Sequence, residues 1–560
     1  MHNTSDIMDS IQKLEKFILQ DGKVDRAEAH ILLAFAKSRA AGNAKMAEFV
    51  KALEDVLEDG VVTQEESIRI GAHLKWLTSE VQSEEPETTF LGRIFKLKRS
   101  RTTARIEVLA GLTTFMTMAY ILAVNPGILS AAPGLEKGGV FVATALAAFV
   151  GTVCMAFLAN YPFALAPGMG LNAFFAFTVC LGLGYSWQFA LLAVFVEGLV
   201  FLVLSLTPVR EAIFNSIPFT LKKAVAVGIG LFITFIALQG AKIVVDNPAT
   251  LVGVTNFHNA DIHTAGIWGI LAFLGTVITA ILVVKGFKGA ILLGILATWV
   301  LGMVAEKTGL YTPNFDKGFY PIIPHFGDYF TQLKGDFGSF KGICGALFHP
   351  AAWTHGGDAN TGWALVKSLD FFVVMFAFFF VDLFDTLGTL IGVSMKGGFL
   401  TKEGKLPRIS GALYADSIAT SVGAVLGTST TTTYVESASG VAAGGRTGLT
   451  ALTTAILFLA ALVFSPIFTA IPSFATAPAL IIVGFYMITA IAEIDFADYS
   501  EAIPAFIAIS AMPLTYSISD GIMFGVISYT LINLLTGKAA KIHWLMYVLT
   551  VVFVAKYALM

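Results

Sequence analysis

From Glu107 onward the chain alternates apolar runs of about 20 residues with short polar stretches, the length a helix needs to cross the hydrocarbon of a bilayer. Fourteen spans are predicted, at about 107–131, 140–160, 163–181, 188–206, 219–240, 264–284, 287–305, 368–394, 410–427, 428–443, 448–469, 475–493, 501–535 and 541–559. The third and tenth are too short to cross as plain helices, and the thirteenth is interrupted near Pro513. A loop at 306–367, rich in glycine and aromatic residues, separates the seventh span from the eighth. Residues 1–80 follow another pattern: Ile11, Leu14, Ile18 and then Ile31, Leu32, Phe35 fall at helical spacing among polar residues, which predicts a small soluble helical domain. Residues 81–106 read as a linker, acidic at first and then basic and amphipathic (FLGRIFKLKRSRTTAR).

The two sets of seven spans read as repeats. Pro218 and Gly230 in the fifth span are spaced like Pro472 and Gly484 in the twelfth, and the two broken spans hold the same place in each half. Seven is odd, so the second half is inverted in the membrane, and matching interruptions point to a midplane site. Charge sets the orientation. The basic run before the first span predicts a cytoplasmic N-terminus, and Arg210, Lys222, Lys285, Lys396 and Arg446 then fall in cytoplasmic loops. The acidic run Glu493 to Glu501 and an outward-facing Lys538 and Lys541 are exceptions; both chain termini are expected in the cytoplasm.

Composition agrees with a membrane protein: 56% hydrophobic and 13% charged over 560 residues, about half the usual charge density of a soluble chain. Cys154, Cys180 and Cys344 show no pairing or metal spacing, and residues 1–30 are too polar for a cleavable signal. Two Asp-Gly units, at 20–28 and 58–66, look like the second half of a calcium loop. Phe17, Leu19 and Leu57 stand where oxygen ligands are required, so no metal site is expected.

Candidate chemistry lies at the breaks. Residues 427–440, GTSTTTTYVESASG, place a run of hydroxyls and one carboxylate, Glu436, inside an apolar region. The β-branched run predicts a short extended piece feeding a half-helix, acceptable at membrane depth only where it is buried in protein or lines a cavity. Thr433 and Glu436 also fit a local capping box. In the third span, APGMGLNAFFA (166–176) breaks at Pro167–Gly168 and carries Asn172, whose amide suits a heterocycle or, equally, a bond between helices. In the eighth, Asp382 and Asp385 lie three apart on one helix face, each costing about 2.5–3.5 kcal/mol at the bilayer centre. No Lys or Arg occurs in these three spans to pair with them. Glu197 and Asp416 are lesser candidates, and the histidines lie in the N-terminal part, in loops or near the membrane edge, which leaves proton coupling to carboxylates.

These residues, with ARIEVLAGLTTFMTMAYILAVNP (104–126), FVDLFDTLGTLIG (380–392) and EAIPAFIAISAMPLTYSISDGI (501–522), make the chain resemble the AzgA-like adenine/guanine/hypoxanthine permeases, relatives of the nucleobase–ascorbate transporters. The resemblance implies two inverted sevens, a core domain (spans 1–4 and 8–11), a gate domain (5–7 and 12–14) and proton-coupled purine uptake. It implies substrate and coupling roles for Asn172, Asp382, Asp385, Thr433 and Glu436, with Asp498 a weaker candidate. The expected mechanism is alternating access with a purine between spans 3, 8 and 10, Phe174, Phe175 or Phe379 as stacking faces, and the gate more nearly fixed as a homodimer among lipid. No cofactor, nucleic acid or enzymatic chemistry is expected. The rivals are an anion carrier of the sulfate or bicarbonate type, which the carboxylates disfavour, and a purine-sensing receptor with the N-terminal domain as its output.

Overall fold

The computed structural model describes residues 89–206, 218–247, 249–255, 262–314, 319–324, 326–356, 361–401 and 406–559, and parts of the N-terminal segment, chiefly 26–37 and 44–57. In that segment α1 (Arg26–Lys37) packs on α2 (Ala44–Leu57) through Leu32, Ala36, Phe49 and Leu53. The two Asp-Gly turns lie almost wholly outside the described residues.

Among the described residues, ten helical segments are long and apolar enough to cross a membrane, and three more apolar helices are shorter. After the short α3 (Phe90–Phe95), the first crossing bends between α4 (Ala104–Met118) and α5 (Ile121–Leu129). Then come α6 (Lys137–Cys154), the strand β1 (Leu165–Pro167), α7 (Met169–Ala173) and α8 (Trp187–Ser205). Beyond these lie α9 (Phe219–Gly240), a hairpin of β2 (Val244–Asn247) and β3 (Leu251–Val254), α10 (Ile267–Val284) and α11 (Ala290–Lys307). The second half holds α12 (Tyr329–Ile343), α13 (Leu369–Gly397), α14 (Ile409–Leu426), β4 (Thr431–Thr433), α15 (Ser437–Ala442) and α16 (Gly448–Ala460). It ends with α17 (Ser473–Ile488), α18 (Tyr499–Leu514), α19 (Ile518–Leu535) and α20 (Trp544–Leu559).

Small residues set the closest crossings. A Cβ at Gly230 would lie 2.7 Å from the Gly484 carbonyl, and one at Gly484 2.6 Å from the Gly230 carbonyl, so α9 and α17 touch glycine to glycine. These are the two positions that the spacing from Pro218 and Pro472 singled out. On α4, the buried Glu107 carboxylate takes the Arg446, Thr447 and Thr450 amides at 2.9, 3.2 and 3.2 Å and the Thr447 and Thr450 hydroxyls at 2.9 and 2.6 Å. One side chain thus satisfies the donors left over at the start of α16.

The expected thirteenth span, 501–535, is two helices that fold back on each other. Pro513 supplies no amide to the last turn of α18, Tyr516 turns the chain with φ +56°, and Ser517 caps α19 by accepting from the Asp520 amide at 3.2 Å. The apolar run continues on both sides of this Ser-x-x-Asp cap, which is why the sequence reads as one span. The fold-back brings Lys538 and Lys541 to 3.2 and 3.4 Å from Asp498, so these lysines and the acidic run lie at the same end of the bundle and not at opposite ends as expected. The last helix, α20, runs antiparallel to α19, with Thr550 on Thr530 at 2.8 Å and Phe553 beside Ile522 and Met523.

The 306–367 loop holds a helix of its own and divides in two. Its first part packs on α10 and α11: the Trp299 indole donates to Ile322 at 3.1 Å, Glu306 accepts the Ile322 and Ile323 amides, and Phe319 stands edge-on to Trp268. Its second part packs elsewhere. On α12, Asp336 accepts from Ser465 and Ser339 donates to Glu136; Gly345 donates to Val425 at 2.7 Å, and His355 stacks on Tyr185. At the same end, Lys137 donates to the Thr469 and Ile471 carbonyls at 2.7 and 2.8 Å, where the chain leaves α16's side of the bundle for α17.

Candidate substrate site

Two broken crossings meet back to back. β1 and β4 pair antiparallel in the register Leu165–Thr433, Ala166–Thr432, Pro167–Thr431. A two-stranded ribbon leaves both outer edges unpaired, which hydrocarbon does not tolerate. Side chains from neighbouring helices close them. Thr152 exchanges hydrogen bonds with Leu165 at 2.9 and 3.1 Å, Thr420 donates to the Thr431 carbonyl at 3.0 Å, and Asp416 accepts the Thr433 amide at 3.1 Å. Asn172 is fully buried; its carbonyl oxygen accepts from Ser429 and its amide nitrogen lies 3.4 Å from the Pro167 carbonyl. Asn125 on α5 donates to Thr144 at 2.7 Å and to Thr428 at 3.0 Å. The hydroxyl run from Thr428 to Thr433 is therefore the lacing behind the site wall, not its face.

The carboxylates divide by exposure. Asp382 is fully buried, and Thr386 reaches its Oδ1 at 3.2 Å, Asp416 Oδ2 at 2.9 Å and the Thr432 hydroxyl at 2.7 Å. Asp385, three residues along the same helix, is exposed, and its Oδ2 lies 3.8 Å from where a Cβ on Gly168 would stand. That Cβ would come within 2.9 Å of the Thr432 methyl, so the glycine lets the start of α7 pack against β4. Glu436 is partly exposed, receives the Tyr120 hydroxyl at 2.7 Å and interacts electrostatically with Asp385. The expected Thr433–Glu436 capping box is not formed, because Thr433 turns to Asp416 and Glu436 to Tyr120. Beside Glu436 are Val435, 55% exposed, and Tyr486 of α17, 39% exposed and within electrostatic reach.

The structure thus brings together Asp385 and Glu436 on an open face between α13, α15 and α17. Asn172, Asp382, Thr433 and Phe174 lie behind it. Phe174 is buried and edge-on to Phe378 at 4.7 Å; Phe175 and Phe379 are buried too, so none offers a stacking face. Tyr486 is the accessible aromatic the sequence reading missed, hidden among unremarkable apolar residues. Glu197 is buried where α8 crosses α14 at Gly198. Asp498 is far from this cluster in role, holding Ser500, Lys538 and Lys541. Neither Asp385 nor Glu436 forms an ion pair among the described residues, so both remain as acceptors for a ligand's N–H groups or as proton carriers. Among the described residues no group of three His, Cys, Asp or Glu side chains is arranged to hold a metal.

Residues 105–524 match the permease family designated Xan_ur_permease. A putative permease of Methanocaldococcus jannaschii, MJ0326, is 45% identical over 84% of this chain and 98% of its own length. The guanine/hypoxanthine permease PbuG of Bacillus subtilis is 44% identical over 82% and 98%, and the adenine permease AdeP of Escherichia coli 39% over 83% and 95%. Among solved structures, the transmembrane domain of the cyanobacterial bicarbonate transporter BicA superposes with a TM-score of 0.50 at 15% identity, covering 75% of this chain and 97% of that one, a likeness of fold alone. With its apolar helices and a family match across most of its length, the chain belongs to the permease family, as an integral membrane transporter and not an enzyme.

Proposed function

We propose that the protein imports purine nucleobases of the adenine, guanine and hypoxanthine class by proton symport with alternating access. The observation that carries this reading is the pair Asp385 and Glu436, accessible and without an ion-pair partner among the described residues, where the two broken crossings meet. A purine presents ring N–H and exocyclic amine donors, which two carboxylates accept; an anion would be repelled, which disfavours the bicarbonate or sulfate reading despite the shared fold. Glu436 accepts from the base, Asp385 accepts from it or takes the coupling proton, and Tyr486 offers a ring face from α17. Asp382, Asn172 and Thr433 hold the two breaks in register from behind.

The reading extends to the whole chain. Fourteen crossings in two inverted sevens are supported by the glycine pair Gly230–Gly484 and by the pairing of β1 with β4, each joining equivalent positions of the two halves. The fourteenth crossing is then α19, and α20 is an addition. Spans 1–4 and 8–11 form the core and 5–7 and 12–14 the gate, through which two copies pair in the lipid of the plasma (inner) membrane. The N-terminal domain is cytoplasmic and soluble. α20 runs back along α19, with Thr550 on Thr530.

Radiolabelled adenine, guanine, hypoxanthine, xanthine and uracil offered to transport-deficient cells test the proposal. One or more purines should accumulate, a protonophore should abolish accumulation, and Glu436→Gln or Asp385→Asn should do the same with surface expression intact. Purine-independent behaviour of the well-expressed wild type, or full uptake by both variants, would overturn it.

A further inference from the structure

The bend of the first crossing sits beside the exposed glutamate. A Cβ on Gly440 of α15 would collide with the Thr114 hydroxyl and come within 2.8 Å of the Ala110 carbonyl, both on α4, so α15 lies with its backbone against α4. One turn on, Thr117 meets Ser439 at 2.9 Å, and after the bend Tyr120 meets Glu436 at 2.7 Å. Positions 110, 114, 117 and 120 follow helical spacing along one face, against 440, 439 and 436 descending α15. Tyr120 is 1% exposed, so its hydroxyl reaches the glutamate without facing the open side.

We propose that Tyr120 is a positioning residue: it holds Glu436 Oε1 and thereby turns Oε2 toward the ligand and the proton. The inference rests on the purine-carrier reading above. A phenol carries one proton and donates it; an ionised carboxylate only accepts. With Oε1 occupied, a base N–H or a proton is directed to Oε2, and the carboxylate loses the freedom to rotate. A hydrogen bond to a charged group contributes enough that its removal weakens ligand binding by about tenfold or more.

The test is uptake kinetics over a range of pH for Tyr120→Phe, Tyr120→Trp, Thr117→Val and Glu436→Gln beside wild type. Folding is checked by surface expression and by a single symmetric peak in gel filtration. Tyr120→Phe should raise KM for purine about tenfold, with little change in maximal rate, and displace the pH profile. Tyr120→Trp, which keeps a ring N–H donor, should recover part of the affinity. Thr117→Val, which breaks the neighbouring contact, should leave KM and pH profile unmoved. A folded Tyr120→Phe with unaltered KM and pH profile, against an inactive Glu436→Gln, overturns this inference alone. Full activity of Glu436→Gln overturns the site reading beneath it. If neither Tyr120 variant folds, or if Thr117→Val shifts KM equally, the residue is structural and the inference fails.

Discussion

At the scale of single residues, charge in an apolar environment was legible and its direction was not. Asp382, Asp385, Asp416 and Glu436 all stand out because carboxylates at this depth are costly. Sequence spacing puts Asp382 and Asp385 on one face, yet one is buried against Thr386 and the other is open opposite Gly168. What separates them is the ribbon of β1 and β4, a contact between segments more than 250 positions apart that no local pattern encodes. Tyr120 and Tyr486 were missed for the opposite reason, since an aromatic in an apolar run is ordinarily core. Glu107 marked only the start of a span, though it gathers five hydrogen bonds at the head of α16. Glu107→Gln puts an amide donor against donors and should lower stability by about 1–3 kcal/mol, read as a lower Tm in detergent with substrate affinity kept.

At the scale of elements, the spans were legible wherever one apolar run made one helix. The breaks at Pro167–Gly168 and in the threonine run were read from backbone chemistry and are present as β1 and β4. The merging of α18 and α19 shows where that logic stops: hydropathy does not register a turn made of Thr515, Tyr516 and Ser517. The turn moves two lysines to Asp498. Hydrogen bonds from Ser500 first, then from Lys538, hold the Asp498 carboxyl well below the usual carboxylate range. A group depressed in this way stabilises the fold above its unfolded value of about 4 and loses that contribution only as pH falls through the lower folded value. Asp498→Ala should therefore lower Tm by the same small amount at pH 5 and at pH 8. A decrement present at pH 8 and absent at pH 5 would show that the clamp titrates in the working range.

At the scale of the molecule, composition and apolar runs were enough for membrane class and the motif resemblance for family, while the attachment of the long loop to two different sets of helices was not legible, because its contacts come from isolated aromatic and polar residues. The helical N-terminal segment forms its own small core of Leu32, Phe49 and Leu53. Deleting residues 1–80 should leave the rate of purine uptake per surface molecule unchanged; loss of uptake by an expressed deletion would favour the receptor reading.

The connection between Thr469 and Ser473, with Lys137 gripping two of its carbonyls, has a mechanical consequence. Fully stretched it reaches about 14 Å. The start of α17 therefore cannot draw far from the end of the stretch that follows α16, and in the transport cycle proposed above this joint would act as a pivot, travelling less than any part of the molecule farther from it.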